Sequence, residues 1–108
     1  MSDFETVPVG DVPAGAKILD VREDYEWVAG HAEGALHIPL DQIPGRLDEL
    51  DPDDDLYVIC RTGGRSFRAV QWLVGQGYTA TNIAGGMDMW FETGRPMVSE
   101  NGLKPVVL

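Results

Sequence analysis

Residues 56–77, LYVICRTGGRSFRAVQWLVGQG, combine a short apolar run, a glycine-containing loop and an amphipathic stretch, and they include the only cysteine of the chain. The run at 56–60 is typical of a buried strand because it is compact and apolar. From about Ser66 to Gln76 the apolar residues fall on one helical face, and Gly77 is placed to end that helix. A buried strand followed at once by a helix predicts an α/β domain.

The rest of the chain repeats this alternation of strands and helices. Strand patterns occupy residues 16–21 and 79–85, and residues 34–40 form a short extended piece. Helices are predicted over 23–30, 40–50 and 87–94, the second with an irregular start at its Pro-Gly pair. Such an order favours a mostly parallel sheet with helices on both faces and a ligand site beyond the carboxyl ends of the strands. Cys60 lies at such an end.

Length and charge restrict the classes of function. With 108 residues, the chain is expected to form one domain over 1–108, and a net charge of −10 argues against nucleic acid and membranes as partners. One cysteine permits no internal disulfide, and the first residues lack a signal-peptide pattern, so a cytoplasmic location is expected. The acidic residues avoid 56–87, which nevertheless contains three arginines. This contrast predicts a small site for a small anion.

The loop after Cys60 combines groups that favour a thiolate. Gly63 and Gly64 can adopt positive φ and turn their amides inward, and successive inward amides form an anion-binding nest. The helix N-terminus near Ser66 adds unpaired donors, and Arg61 and Arg65 add positive charge. Such surroundings lower the pKa of a cysteine and make it nucleophilic.

Two other interpretations of this segment carry less weight. A lone buried cysteine is often an inert core residue, but such a thiol needs no glycine pair between arginines directly after it. A nucleotide-binding phosphate loop requires a Gly-Lys-Ser/Thr ending, and this loop has no lysine.

Three motifs in the expected order resemble the rhodanese family of sulfurtransferases, over about residues 11–97. CRTGGRS at 60–66 resembles the active-site loop of that family. LDVREDYEWVAGHAEGALHIPL at 19–40 resembles its upstream signature, and NIAGGMDMW at 82–90, with TGRP after it, resembles its downstream signature.

The resemblance implies a three-layer α/β sandwich with a five-stranded, mostly parallel sheet and a double-displacement reaction. Cys60 would attack the outer sulfur of a donor such as thiosulfate, sulfite would depart, and the resulting persulfide would pass its sulfur to a thiol, cyanide or protein acceptor. No metal or organic cofactor is implied. The residues expected to bind the substrate or persulfide are Arg61, Thr62, Gly63, Gly64, Arg65 and Ser66, with Asp20 and Arg22 shaping the site.

Competing functions remain open at this point. Four residues separate Cys60 from Arg65, whereas related phosphatases and arsenate reductases use one more, so the smaller loop argues for sulfur over phosphate. A sulfur-relay or binding module would accept persulfide from a protein partner, with little activity on free thiosulfate. A purely structural domain of this family typically lacks the cysteine, which is present here.

Four further features have structural interpretations. Asp20 and Arg22 are expected to form an ion pair that fixes the loop after the first strand pattern. His31 is expected to bond to main chain rather than to act as a base. Trp72 and Trp90 are expected to pack in or beside the core. The tail at 100–108 is either a frayed terminus or a packed segment.

Overall fold

The computed structural model describes residues 3–108, and its centre is a five-stranded, entirely parallel sheet. Its strands, in chain order, are β1 (Thr6–Pro8), β2 (Lys17–Asp20), β4 (Leu36–His37), β5 (Asp55–Ile59) and β6 (Thr79–Ala84). Their order across the sheet is β1-β6-β5-β2-β4. Two short strands, β3 (His31–Ala32) and β7 (Met97–Val98), pair antiparallel beside it. The predicted α/β class with a five-stranded parallel sheet is confirmed.

Helices cover both faces of the sheet. The three α-helices are α1 (Asp24–Ala29), α2 (Gly64–Gly75) and α3 (Gly86–Glu92), and two 3-10 segments span Val9–Asp11 and Leu40–Glu49. One buried cluster joins α2 and the second 3-10 segment to the sheet, and another lies under α3 on the opposite face. Neighbouring residues of one strand belong to different clusters: in β5, Val58 lies in the first cluster and Ile59 in the second. This is the two-residue period of a strand, and it produces the expected three layers.

Three details differ from the sequence predictions. The predicted helix at 40–50 is a 3-10 segment rather than a regular α-helix, and Pro44 inside it cannot donate a helical hydrogen bond. The segment also has a break at Arg46 (φ −128°, ψ 22°). Strands β1, β3 and β7 were not predicted, since their two or three residues are too few for a pattern. Helix α2 begins at Gly64, two residues earlier than expected, because the turn is completed at Gly63.

The C-terminal tail packs against the body of the domain. The main-chain N–H of Val106 donates to the carbonyl of Ala29 at 3.0 Å, and that of Glu100 donates to Val28 at 3.0 Å. Gly30 permits this approach, because a Cβ at that position would overlap the main chain of Val106. Of the two alternatives for the tail, the structure therefore has the packed one.

Over residues 3–108, none of the helices is long and apolar enough to cross a membrane.

Candidate active site

Cys60 directly follows β5, at the carboxyl edge of the sheet, and α2 begins four residues later. Gly63 makes the turn between them with φ 122°, a value that side chains rarely permit. Gly64 does not share this conformation; it is the first helical residue and has no positive φ. The expectation of positive φ is therefore met by Gly63 alone.

The sulfur of Cys60 is buried but faces hydrogen-bond donors. The residue is 1% exposed and one side of it adjoins the core under α2. The main-chain N–H of Gly63 donates to Sγ at 3.1 Å, and the hydroxyl of Ser66 lies 3.3 Å from it. An inert core thiol would have hydrocarbon on all sides, whereas this sulfur accepts a main-chain hydrogen bond of the kind that stabilises a thiolate.

These contacts determine the direction in which the pKa of Cys60 moves. Burial by itself raises the pKa of the thiol. The hydroxyl and main-chain N–H of Ser66, together with the N–H groups of Gly63 and Thr62, lower it by more. The pKa of Cys60 therefore lies below its ordinary value, which increases the fraction of nucleophilic thiolate at neutral pH.

The N-terminal end of α3 holds the loop in this orientation. The carbonyls of Cys60 and Arg61 accept hydrogen bonds from the N–H groups of Met87 (2.8 Å) and Asp88 (3.0 Å), and the carbonyl of Thr62 accepts from Gly85 at 3.1 Å. Since the C=O and N–H of a peptide point in opposite directions, fixing these carbonyls on α3 leaves the loop N–H groups free to face the sulfur.

Arg65 is held by a carboxylate that comes from a distant part of the chain. Its guanidinium donates to both oxygens of Glu26, at 2.6 and 3.0 Å, and Glu26 is almost fully buried. The hydrogen bonds to Glu26 raise the pKa of Arg65. Burial alone would raise the pKa of Glu26, but hydrogen bonds from Arg65 and the N–H of Glu23 lower it overall. The pair is therefore fully ionised at neutral pH.

Arg61 also has a carboxylate partner, although a weaker one. Its Nε donates to Asp88 at 3.3 Å, and its side chain remains 52% exposed. Beside Arg65 lies a hollow of about 200 Å³, whose lining includes the acidic residues Glu23 and Asp41. Both loop arginines that were expected to meet the anion are thus already paired with carboxylates, and two further acidic residues line the hollow beside Arg65.

Asp20 and Arg22 form the expected ion pair, with Arg22 Nη2 2.7 Å from Asp20 and both side chains fully buried. Arg22 Nη2 also donates to the carbonyl of Gly30 at 2.8 Å. These bonds fix the ends of α1, on which Glu26 lies; they are not made to the loop at 61–66. A site-shaping role for this pair would act through α1.

His31 faces acceptors with both ring nitrogens: the carbonyl of Ala32 at 3.0 Å and the carboxylate of Glu100 at 2.7 Å. It is a structural residue that binds the tail, which agrees with the main-chain bond expected for it.

Trp90 is buried in the second cluster, whereas Trp72 is about one-third exposed. Among residues 3–108 there is no group of three metal-ligating side chains.

Sequence reasoning did not assign roles to Glu26, Asp88 or Asn82, all of which contact the loop at 60–66. Asn82 carried a usable signal, because it is a polar residue inside the apolar run of β6. Glu26 carried only its place in the upstream signature, and Asp88 carried no signal of its own, since acidic residues on short helices are usually solvated.

Comparison with known proteins identifies relatives of the same architecture. The Rhodanese-like domain family matches residues 10–93. A protein named "Sulfurtransferase" from Allochromatium vinosum is 36% identical over 86 residues, which cover 79% of this chain and 80% of the relative. The protein named "Thiosulfate sulfurtransferase GlpE" from Stutzerimonas stutzeri is 32% identical over 98 residues, 86% of this chain and 90% of the relative.

A solved structure of a rhodanese-related protein from Thermoplasma volcanium superposes with a TM-score of 0.83 at 30% identity, covering 88% of this chain and 98% of that one. The recognition that rested on three sequence motifs is thereby confirmed.

Proposed function

We propose that this chain, which belongs to the rhodanese-like sulfurtransferase family, moves a sulfane sulfur from thiosulfate or a similar donor to a thiophilic acceptor through Cys60. The observation that carries the proposal is the convergence of the Gly63 N–H and the Ser66 hydroxyl on the Cys60 sulfur. Donors in this position stabilise an anion, and both the attacking thiolate and the persulfide product are anions.

The first half-reaction forms the persulfide. The Cys60 thiolate attacks the outer sulfur of thiosulfate, a new sulfur–sulfur bond forms, and sulfite leaves with the electron pair of the bond that breaks. Because Cys60 is only 1% exposed, a small donor whose reacting sulfur is terminal, as in thiosulfate, is favoured over a bulky one. The half-exposed Arg61 is our candidate to stabilise the charge on departing sulfite, because its guanidinium is held by a single 3.3 Å contact with Asp88 that the anion would have to replace.

The second half-reaction removes the sulfur. A nucleophilic acceptor, either a thiol, cyanide or a protein thiolate, attacks the outer persulfide sulfur, and the electron pair of the broken bond returns to Cys60 as thiolate. The N–H of Gly63, with those of Thr62 and Ser66, would hold the charge on sulfur throughout. Gly64 and Arg65 would contribute by position: Gly64 starts α2, and Arg65 binds the loop to Glu26.

The test combines turnover with detection of the intermediate. Incubation with thiosulfate and cyanide should yield thiocyanate in proportion to active protein, and mass spectrometry should show one added sulfur when cyanide is left out. Cys60→Ala is the matched control, since it keeps a small side chain at a buried position. Thiocyanate formation equal to that of Cys60→Ala, with both thiosulfate and 3-mercaptopyruvate as donors, would exclude this activity.

A second candidate function, sulfur relay, is favoured by the charge of the site. Arg65 and Arg61 are paired with Glu26 and Asp88, and the hollow beside Arg65 includes two further acidic residues, so little uncompensated positive charge is left to attract a free dianion. A persulfide presented by a protein partner carries less charge. One sulfur added to Cys60 by a protein-bound persulfide, without any addition from thiosulfate, would select the relay.

A further inference from the structure

A chain of buried polar side chains continues behind the Cys60 sulfur. The hydroxyl of Ser66 lies 3.3 Å from Sγ and donates to Asn82 Oδ1 at 2.6 Å. The amide Nδ2 of Asn82 points to the carbonyl of Gly63 at 3.4 Å. Ser66 and Asn82 are 0% and 3% exposed, so their hydrogen bonds cannot be exchanged with water.

Counting protons shows which state of the sulfur this arrangement serves. A serine hydroxyl has a single proton, and here Ser66 gives it to Asn82. The 3.3 Å contact between Ser66 and Cys60 is then a hydrogen bond only if the thiol supplies the proton. The arrangement therefore matches protonated Cys60, whereas a thiolate or persulfide needs the hydroxyl proton to point at sulfur.

Turning the Ser66 proton toward sulfur leaves Asn82 Oδ1 facing a hydroxyl oxygen without a proton between them. A half-turn of the Asn82 amide removes this conflict, because Nδ2 then donates to Ser66 Oγ. The half-turn breaks only the long 3.4 Å contact between Asn82 Nδ2 and the carbonyl of Gly63. That carbonyl still accepts a hydrogen bond from the N–H of Phe67 at 3.2 Å. The main chain of Asn82 stays fixed between β1 and β5, so only its side-chain torsion changes.

We propose that Asn82 is a positioning residue whose amide reverses when the sulfur becomes anionic, so that the Ser66 hydroxyl donates to the thiolate or persulfide. This proposal rests on the proposed function in that Cys60 cycles between charged forms, but not on which donor supplies the sulfur. The Asn82 amide suits both states because it can either accept from Ser66 or donate to it.

Substitutions at Asn82 separate this role from simple packing. In Asn82→Asp the carboxylate can only accept, so it holds the Ser66 proton away from the sulfur and the pKa of Cys60 should rise. In Asn82→Ala the Ser66 hydroxyl is free to turn, and the pKa of Cys60 should stay at or below that of the parent. A packing role predicts instead that both variants raise it, because the loop loses support in each.

Ser66→Ala provides the matched background. Through-space repulsion from the carboxylate introduced by Asn82→Asp would raise the pKa of Cys60 equally with and without the Ser66 hydroxyl. The proposed reversal predicts a larger rise when Ser66 is present, since only then is there a proton to withdraw. A hydrogen bond to an anion has an energy that corresponds to a roughly ten- to hundredfold change in thiolate fraction, and that is the excess expected.

The measurement uses the thiolate absorbance and the alkylation rate against pH, both specific because the chain has one cysteine. The side-chain amide resonances of Asn82 should also shift with the Cys60 titration in the parent and not in Ser66→Ala. Equal effects of Asn82→Asp in both backgrounds, or a raised pKa in Asn82→Ala, would overturn the proposal. If Asn82→Asp does not fold, the pKa of Cys60 in Asn82→Ala and the amide resonances of Asn82 in the parent protein still test the proposal. None of these readouts needs turnover of thiosulfate, so this proposal and the proposed function can fail separately.

Discussion

Replacing Gly86 by alanine should destabilise the domain and displace the loop that faces the Cys60 sulfur. Gly86 has φ +51°, and a Cβ there would overlap the carbonyl oxygen of Cys60 and lie 2.6 Å from that of Arg61. Both carbonyls are fixed by hydrogen bonds to the start of α3, at 2.8 and 3.0 Å. The obstacle is main chain, so it cannot be relieved by a change of rotamer.

The expected cost is the sum of three effects. A left-handed conformation costs a non-glycine residue about 1–2 kcal/mol. Overpacking against fixed atoms costs about 1–3 kcal/mol, and two weakened hydrogen bonds about 1 kcal/mol each. Together they predict a loss of about 4–7 kcal/mol, which is a large part of the roughly 5–15 kcal/mol by which domains are stable.

Gly94→Ala is the control that isolates the backbone conformation. Gly94 ends the turn after α3 with φ +73°, and a Cβ there meets nothing within 4 Å. Only the conformational cost of about 1–2 kcal/mol is expected. The difference between the two variants therefore measures the clash with the loop.

Urea unfolding followed by circular dichroism provides the free energies, and the alkylation rate of Cys60 in the folded protein reports the loop. Gly86→Ala should lose several kcal/mol more than Gly94→Ala and should alkylate more slowly at neutral pH, because displaced amides no longer stabilise the thiolate. Equal stability of the two variants would refute the close approach, and an unchanged alkylation profile would refute the link between α3 and the sulfur.

Three further predictions follow from individual contacts. Because the pKa of Cys60 is lowered, alkylation by iodoacetamide should reach half its plateau rate at a lower pH than it does for an unperturbed small thiol under the same conditions. A midpoint at or above that reference would contradict the loop electrostatics. Glu26→Gln should lower stability at neutral pH by about 1–3 kcal/mol. Since the pKa of Glu26 is lowered in the folded state, its contribution is present above the unfolded value of about 4.3 and is lost as pH falls through the folded value. A difference between parent and Glu26→Gln that stays constant down to acidic pH would argue against the Arg65 pair. Gly30→Ala should release the tail at 100–108 to limited proteolysis, because its Cβ would overlap the main chain of Val106. Gly45→Ala is the control, since a Cβ at Gly45 meets nothing within 4 Å, and it should leave the tail protected. Equal protection of the tail in both variants would disprove the packing.

The strand–loop–helix unit around Cys60 was predictable because its determinants are adjacent in the chain. An apolar run, a glycine turn and an amphipathic stretch act within about 20 residues, so residues 56–77 alone indicated where a thiol would meet main-chain amides. The boundaries were less accurate. Helix α2 begins at Gly64 because only Gly63 takes the positive φ, and sequence does not show which of two adjacent glycines does so.

The partners of the loop were not predictable from local pattern. Glu26 reaches Arg65 across 39 residues and Asp88 reaches Arg61 across 27, and neither acidic residue differs in sequence from the solvated ones around it. The arginines were expected to be free for an anion. Their pairing follows from the way α1 and α3 pack at the carboxyl edge of the sheet.

The sequence by itself determined that a single thiol follows a buried strand and precedes an amide-rich turn, since those properties depend on neighbouring residues. Only the tertiary structure decided which groups surround that thiol and set its pKa. It brought Asn82 of β6 behind Ser66, placed the start of α3 on the loop carbonyls, and paired both arginines. The reason is that hydrogen bonds and ion pairs depend on distances of about 3 Å between residues far apart in the chain, and only packing sets those distances.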